Sequence, residues 1–296
     1  MPLHALQQIR GALRNLNPNE VQQLAETNFK IGLLAADESA YNGMVRFLLP
    51  AGISDRKAQQ AGRYVLAATQ DADFERCNFG LAEPQLPCPP HFYPYDPAAP
   101  GRLMESFLDR YEDLWVPVAR HFVAFREPVI SRLITKVARE NALFAVATAL
   151  PNIVPSLFEL PWAVGEFASD TAVLTMNQIR LAFLIAAACD APVGYMEQRG
   201  QIASIITSAF GWRALARELL SKVPFGGGLI PKGLVAFAGT YVVGLGLERY
   251  LRLGRGLTAE EKRQQYARAI ERGRAVVEGI VSQWKGRGAT PGRIGS

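Results

Sequence analysis

Cysteine is scarce in this chain: three residues in 296, at Cys77, Cys88 and Cys189. An odd, sparse count excludes a disulfide framework and suits a reducing compartment. Histidine is equally scarce, with three residues. His4 and His121 stand in no partnered motif, which leaves a Ser-His-Asp or Cys-His catalytic set without support. Charge is thin as well: 20% of residues are Asp, Glu, Lys or Arg, against roughly 25% in soluble domains. The N-terminal stretch MPLHALQQIRGALRNLNP has no apolar core and no small-residue cleavage site, so no signal peptide is expected. The cytoplasmic side of a bacterial-type cell is the expected setting.

A continuous run of roughly 20 apolar residues, the length of a membrane span, is missing too. Ala142–Phe158 is uncharged but falls short and contains Pro151 and Pro155. That pattern suits a re-entrant or hairpin pair of short helices. Leu234–Leu247 is shorter still. Its residues Ala236, Thr240 and Gly244 recur every four positions, a ridge of small side chains that lets another helix approach closely. Each run fits either a buried core helix or a membrane-contacting one. The mean hydropathy of +0.05 lies between those of cytosolic and polytopic membrane proteins.

What is present begins with a strand running into a helix, FKIGLLAADESAYNGMVRFLLP, Phe29 to Pro50. The turn Gly32-Leu-Leu-Ala-Ala-Asp37-Glu38-Ser39 has the spacing of a phosphate loop, G-x-x-x-x-G-K-[ST], with glycine and lysine replaced by two acids. A working loop cradles phosphates on backbone N–H groups and bridges them with lysine. Each like-charge contact at about 4 Å costs on the order of 4 kcal/mol at an effective dielectric of 20. The helix dipole returns only about 0.3–1 kcal/mol. Gly32, Asp37, Glu38 and Ser39 therefore outline a nucleotide site without its chemistry, and no cofactor is expected. Gly226–Gly233, GGGLIPKG, imitates the same motif; Pro231 has no N–H to donate, and a helix-connecting turn is expected there. Cys77 with Cys88-Pro-Pro-His91 offers three ligands where zinc wants four, so no metal is expected.

Residues 1–82 read as a polar lead-in helix and a small α/β unit, with strands at Phe29–Ala35, Arg63–Ala68 and Cys77–Ala82. The proline-dense stretch 83–101 reads as a linker. Residues 102–285 read as a multi-helix domain with apolar hairpins, and 286–296 as a disordered tail. Thr175-Met-Asn-Gln178 and Thr258-Ala-Glu-Glu261 both have capping-box form. The first is expected to open a helix through LAFLIAAACD. The second is expected to open a last helix with Tyr266, Ile270, Val277, Ile280, Val281 and Trp284 on its apolar side. Glu159, Glu166 and Asp170 border apolar runs and become functional candidates if that region enters a membrane. The basic C-terminal helix lacks interleaved aromatics, so no nucleic acid is expected. The fold class expected is mainly α, with a small N-terminal α/β unit.

Two phrases, DTAVLTMNQIRLAFLIAAACDAP and GWRALARELLSKVPFGGGLIPKGLVAFAGTYVVGLGLERYLRLG, span Asp170 to Gly254. They resemble the YcjF-type domain of unknown function in bacteria. That helical domain often lies C-terminal to Era/TrmE-like small GTPases and is commonly predicted to associate with the inner membrane. The resembling positions include Asp170, Asn177, Gln178, Arg217, Glu218, Pro224 and Lys232. The family offers no established catalytic residues, so none carries over. The chain departs from the usual arrangement because no N-K-x-D or D-x-x-G motif accompanies the altered loop. The resemblance implies a non-enzymatic, membrane-associated scaffold or regulator at the cytoplasmic face of the inner membrane. The alternatives are a soluble partner of a separate small GTPase and a nucleotide-binding protein.

Overall fold

The computed structural model describes residues 16–149, 170–206 and 229–288. It is mainly α, with a small four-stranded sheet near the N-terminus. The chain forms two compact units, Asn19–Arg132 with Ala186–Val193, and Leu133–Ile185 with Gly194 onward and the residues before Asn19. The division falls inside a helix rather than in the proline-rich stretch.

In the first unit, helix α1 (Pro18–Ala25) precedes β1 (Ile31–Leu34), α2 (Glu38–Leu48), α3 (Asp55–Gly62), β2 (Val65–Ala67), the short α4 (Asp71–Phe74) and β3 (Phe79–Ala82). Then come β4 (Phe92–Pro94), α5 (Gly101–Arg110), α6 (Trp115–His121) and the start of α7 (Val123–Ala147). The strands are all parallel, in the order β2-β1-β3-β4. The three expected strands are present, trimmed at their ends.

The stretch 83–101 is not a linker. Phe92–Pro94 pairs with Gly80–Ala82 of β3, and the Tyr95 N–H donates to Ala82 O at 2.8 Å. Proline is tolerated because β4 is the edge strand, where a missing donor breaks no ladder on the open side. High proline content alone gave no sign of this fourth strand.

Gly32 and Gly80 lie side by side in β1 and β3, and Gly80 faces Phe92 in register. A Cβ at Gly32 would stand 2.3 Å from Phe92 Cζ, and one at Gly80 2.2 Å from its Cδ1. The two glycines thus form a trench that the Phe92 ring fills. Phe92 clusters there with Ala68, Cys77 and Ala82, flanked by Leu34, Leu66 and Phe74. Phe79 is buried among other aromatics, 4.9 Å from Phe107 and 6.2 Å from Phe125 between ring centroids.

The second unit contains α7 from Leu133, α8 (Asp170–Ala188) as far as Ile185, a helical segment at 199–206, α9 (Leu229–Leu253) and α10 (Ala259–Gly288). Contacts between α9 and α10 run antiparallel: Gly233 meets Val277, Phe237 meets Gly273, and Arg249 pairs with Glu261. Contacts between α7 and α9 are antiparallel too, from Lys232 with Thr148 to Gly244 with Ile134. The apolar helix α9 therefore packs antiparallel against both α7 and the amphipathic α10.

Thr258 and Glu261 form a reciprocal capping box. The Thr258 N–H donates to Glu261 Oε2 at 2.9 Å, and the Glu261 N–H donates to Thr258 Oγ1 at 3.2 Å. Tyr266, Ile270, Val277, Ile280 and Val281 are buried along α10, as their spacing requires. The Trp284 side chain lies outside the described residues. The helix continues to Gly288, past the expected start of the tail at 286.

Thr175 behaves differently. It sits in the second turn of α8, and its hydroxyl donates to Thr171 O at 2.7 Å. Thr175-Met-Asn-Gln178 is therefore helix interior, not a cap. Thr258 follows Gly254-Arg-Gly256, which breaks the preceding helix, whereas no breaker stands between Asp170 and Thr175. The end of α8 is a left-handed cap, with Asp190 at φ 57°. The Ala191 and Asp190 N–H groups donate back to Ala186 O and Ala187 O, the two bonds of a Schellman motif.

Leu229–Gly233, expected as part of a turn, forms the first turn of α9. Pro231 suits that position because the first turn has orphan donors anyway. Residues 226–228 lie outside the described residues. Residues 195–198 form a turn and 199–206 are helical.

Candidate functional site

The strand-to-helix turn is shorter than its spacing suggested. Gly32 belongs to β1, so only Ala35, Ala36 and Asp37 lie between strand and helix. That leaves too few residues to wrap a phosphate. Asp37 is the N-cap of α2 and accepts the Ala40 N–H at 2.8 Å. Glu83, just past β3, accepts the Ala36 N–H at 2.9 Å. Two carboxylates thus already hold amides that an anion would need. Glu38 and Ser39 begin α2 and are exposed. The role of Gly32 is to admit Phe92.

Cys77 is buried, its thiol donates to Asp73 O at 3.2 Å, and burial pushes its pKa up. His91 sets Nε2 3.1 Å from Phe74 O. Among the described residues no group of three or more His, Cys, Asp or Glu is placed to hold a metal.

The most concentrated polar chemistry lies inside the helical unit. Asn141 from α7, Asn177 and Gln178 from α8, and Thr240 from α9 are all buried. Asn141 Nδ2 donates to Thr240 Oγ1 at 2.7 Å and to Leu174 O at 3.3 Å. Asn177 Nδ2 donates to Asn141 Oδ1 at 2.8 Å. Gln178 Nε2 donates to Thr240 Oγ1 at 3.2 Å. Asn141 is the hub, tied to both other helices. Among the described residues nothing donates a hydrogen bond to Asn177 Oδ1 or Gln178 Oε1, and a buried unsatisfied acceptor costs about 1–3 kcal/mol. The cluster is expensive, uncharged, and without the general base that proton-transfer or acyl chemistry requires. It is suited to fixing one register among three helices.

Three residues named from sequence meet here: Asn177 and Gln178 from the family-like motif, and Thr240 from the small-residue ridge. Asn141 was missed as a site residue. Its only signal was a lone amide at the head of an apolar run, Asn141-Ala-Leu-Phe-Ala. Ala236 and Gly244 continue the ridge and are buried. A Cβ on Gly244 would fall 2.7 Å from Ile134 Cγ1. Ile134 is stiff at χ1 and cannot swing away cheaply. Gly244→Val is therefore expected to lower stability by about 1–3 kcal/mol through overpacking, read as a loss of urea midpoint.

Lys232 donates from Nζ to Thr148 Oγ1 at 3.1 Å, tying the first turn of α9 to the residue just past α7. Asp170 begins α8. Glu159, Glu166, Arg217, Glu218 and Pro224 lie outside the described residues, as do positions 150–158 of the run Ala142–Phe158.

Among the described residues, two helices are long and apolar enough to cross a membrane: Thr171–Ala188 and Leu229–Leu253. The first was not singled out from sequence, because its polar residues Thr175, Asn177, Gln178 and Arg180 interrupt the run. Its apolar window is 83% buried within the protein, whereas that of α9 is 56% buried.

Two titrating groups set an acid sensitivity. The Thr258 backbone N–H and the Arg249 side chain hold the Glu261 carboxyl down at about 2, from an ordinary 4.5. A depressed carboxylate stabilises above its unfolded value, and that contribution is lost as pH falls from 4.5 toward 2. Circular dichroism should show wild-type helicity declining across that window, with a flatter profile for Glu261→Gln. In the other unit the His121 ring lies tilted against Tyr64, 4.3 Å between centroids, and burial, reinforced by Arg120, lowers its pKa below 6.5. It acts in the same direction, favouring the fold above 6.5.

Comparison with protein-family models, with curated proteins and with solved structures returns no match.

Proposed function

We propose that this chain is a non-enzymatic scaffold or regulator whose helical unit rests on the cytoplasmic face of a bacterial inner membrane. The observation that carries this reading is α9. It is 25 residues long with a mean hydropathy of 1.4, and its own fold covers little more than half of it. Exposed Tyr250 and Leu253 extend that open surface at its C-terminal end. An apolar helix lying partly uncovered gains about 25 cal/mol for each Å² it removes from water. The extensive burial of α8 favours a protein that lies on the membrane over one that spans it. The same burial supports the second reading, a soluble partner of a separate small GTPase.

Against catalysis on a nucleotide stand the two carboxylates, Asp37 and Glu83, that occupy the amides of the β1–α2 turn. The helical polar cluster supports a structural role for the residues shared with the YcjF-type motif. Flotation with phosphatidylglycerol-containing vesicles tests the membrane reading, and co-flotation that survives high salt is expected. Complete recovery of the full chain in the soluble fraction at low and high salt would overturn it. Enrichment of a GTPase in a pull-down from such a soluble fraction would move the assignment to the second reading.

A further inference from the structure

The open side of α9 borders a cavity of about 420 Å³. Its wall on α9 is one helical face: Gly239, Val242, Val243, Gly246, Leu247 and Tyr250. From Gly239 to Tyr250 that face runs about 16 Å, at 1.5 Å per residue. Ile205 and Leu257 close other sides, and Gln201 and Ser204 add neutral hydrogen-bonding groups. The only charged lining residue among those described is Lys262, on α10.

The ends of this slot differ. Because α9 and α10 run antiparallel, with Arg249 beside Glu261, Lys262 is level with the Tyr250 end. Tyr250, Gly256 and Lys262 are exposed there, whereas Gly239 and Val242 at the far end are buried. The neighbouring acids are engaged elsewhere, Glu261 with Arg249 at 2.6 Å and Glu248 with Arg252 at 2.9 Å. The mouth is thus cationic and the depth apolar. Its volume lies within the roughly 300–1,000 Å³ of small-molecule sites.

We propose that this slot binds a single-chain anionic amphiphile, its alkyl chain along the α9 face and its carboxylate or phosphate at Lys262. The chain removes apolar surface from water along Val242, Val243 and Leu247, which no side chain from Gly239 or Gly246 obstructs. The head gains a charge-assisted hydrogen bond from the ammonium group, and Ser204 and Gln201 offer neutral ones. The site stands on the cavity itself and survives if the membrane reading fails.

The test uses the full chain in solution and dodecanoate, below its micelle concentration, followed by calorimetry. Saturable binding is expected, with dodecyltrimethylammonium binding at least about tenfold more weakly. Gly246→Phe should abolish binding. A Cβ at that position meets only Leu257 Cδ1, at 3.9 Å, so the new ring enters the slot and the helix gains a better helix former than glycine. Lys262→Gln, on the surface, should weaken dodecanoate by about tenfold and leave dodecanol unchanged. Comparison of dodecanoate with lysophosphatidate assigns the head to carboxylate or phosphate, and either preference supports the site. No binding by the wild type, equal binding of the cationic amphiphile, or dodecanoate binding indifferent to Lys262→Gln would overturn it.

Discussion

Asn141→Ala is expected to lower the stability of the helical unit by roughly 1–3 kcal/mol, the cost of one orphaned buried polar group. Asn177 Nδ2 loses its acceptor, whereas Thr240 Oγ1 loses its shorter donor and keeps Gln178 Nε2 at 3.2 Å. The loss is large beside the roughly 5–15 kcal/mol that holds a typical domain folded. The informative comparison is a fourfold variant: Asn141→Leu, Asn177→Leu, Gln178→Met and Thr240→Val. Replacing all partners with apolar groups of similar size is often near neutral. The fourfold variant should therefore be markedly more stable in urea than Asn141→Ala alone. If the single change costs under about 1 kcal/mol, the low end for one orphaned group, the network does not hold these helices in register. If the fourfold variant is as unstable as the single one, packing around the amides, rather than their hydrogen bonds, carries the effect.

Phe92→Ala should cost the α/β unit about 3–5 kcal/mol, the range for buried phenylalanine truncations. The upper end is expected, because the residues beneath the ring are Gly32 and Gly80, which have no side chains to lean into the vacated space. A second-site change tests the trench directly. Gly80→Val in the wild type places its Cβ inside the Phe92 ring, and should itself cost about 1–3 kcal/mol or more. In the Phe92→Ala background the same valine has room, so the double variant should be more stable than the sum of the single losses. Additive losses would mean that the glycines serve some purpose other than admitting the ring. Thermal melts of the four proteins complete the cycle.

Much of the architecture was legible in sequence. Mainly helical character followed from the 3.6-residue stripes, and the α10 face was readable because Tyr266, Ile270 and Val277 keep that period on a helix otherwise charged. The fourth strand was not legible, because Phe92-Tyr-Pro is short and lies among prolines. Only pairing with β3, contributed from elsewhere in the chain, makes it a strand. The two capping-box patterns show the limit of a local motif. Thr258 and Thr175 carry the same signature, and only the glycine breaker before Thr258 separates a cap from a helix interior. Gly32 misled for a related reason. The phosphate-loop spacing counts residues along the chain, whereas the requirement for glycine came from a ring across the sheet. Of the polar cluster, three members carried sequence signals and the hub did not, since a single asparagine gains meaning only from what three helices bring to it.

Helix α9 contains four glycines, Gly233, Gly239, Gly244 and Gly246. The last three lie in the helix interior, where each costs about 1 kcal/mol relative to alanine. Taken alone, this segment would be a poor helix despite its length. Its order is borrowed from α7 on one side and α10 on another, and the proposed amphiphile would add support on a third. Amide hydrogen exchange should report this dependence. Amides of 239–250 should exchange through openings smaller than global unfolding, and should slow when dodecanoate is bound. The glycines that let partners approach so closely also make this helix the element whose persistence reports whether those partners are there.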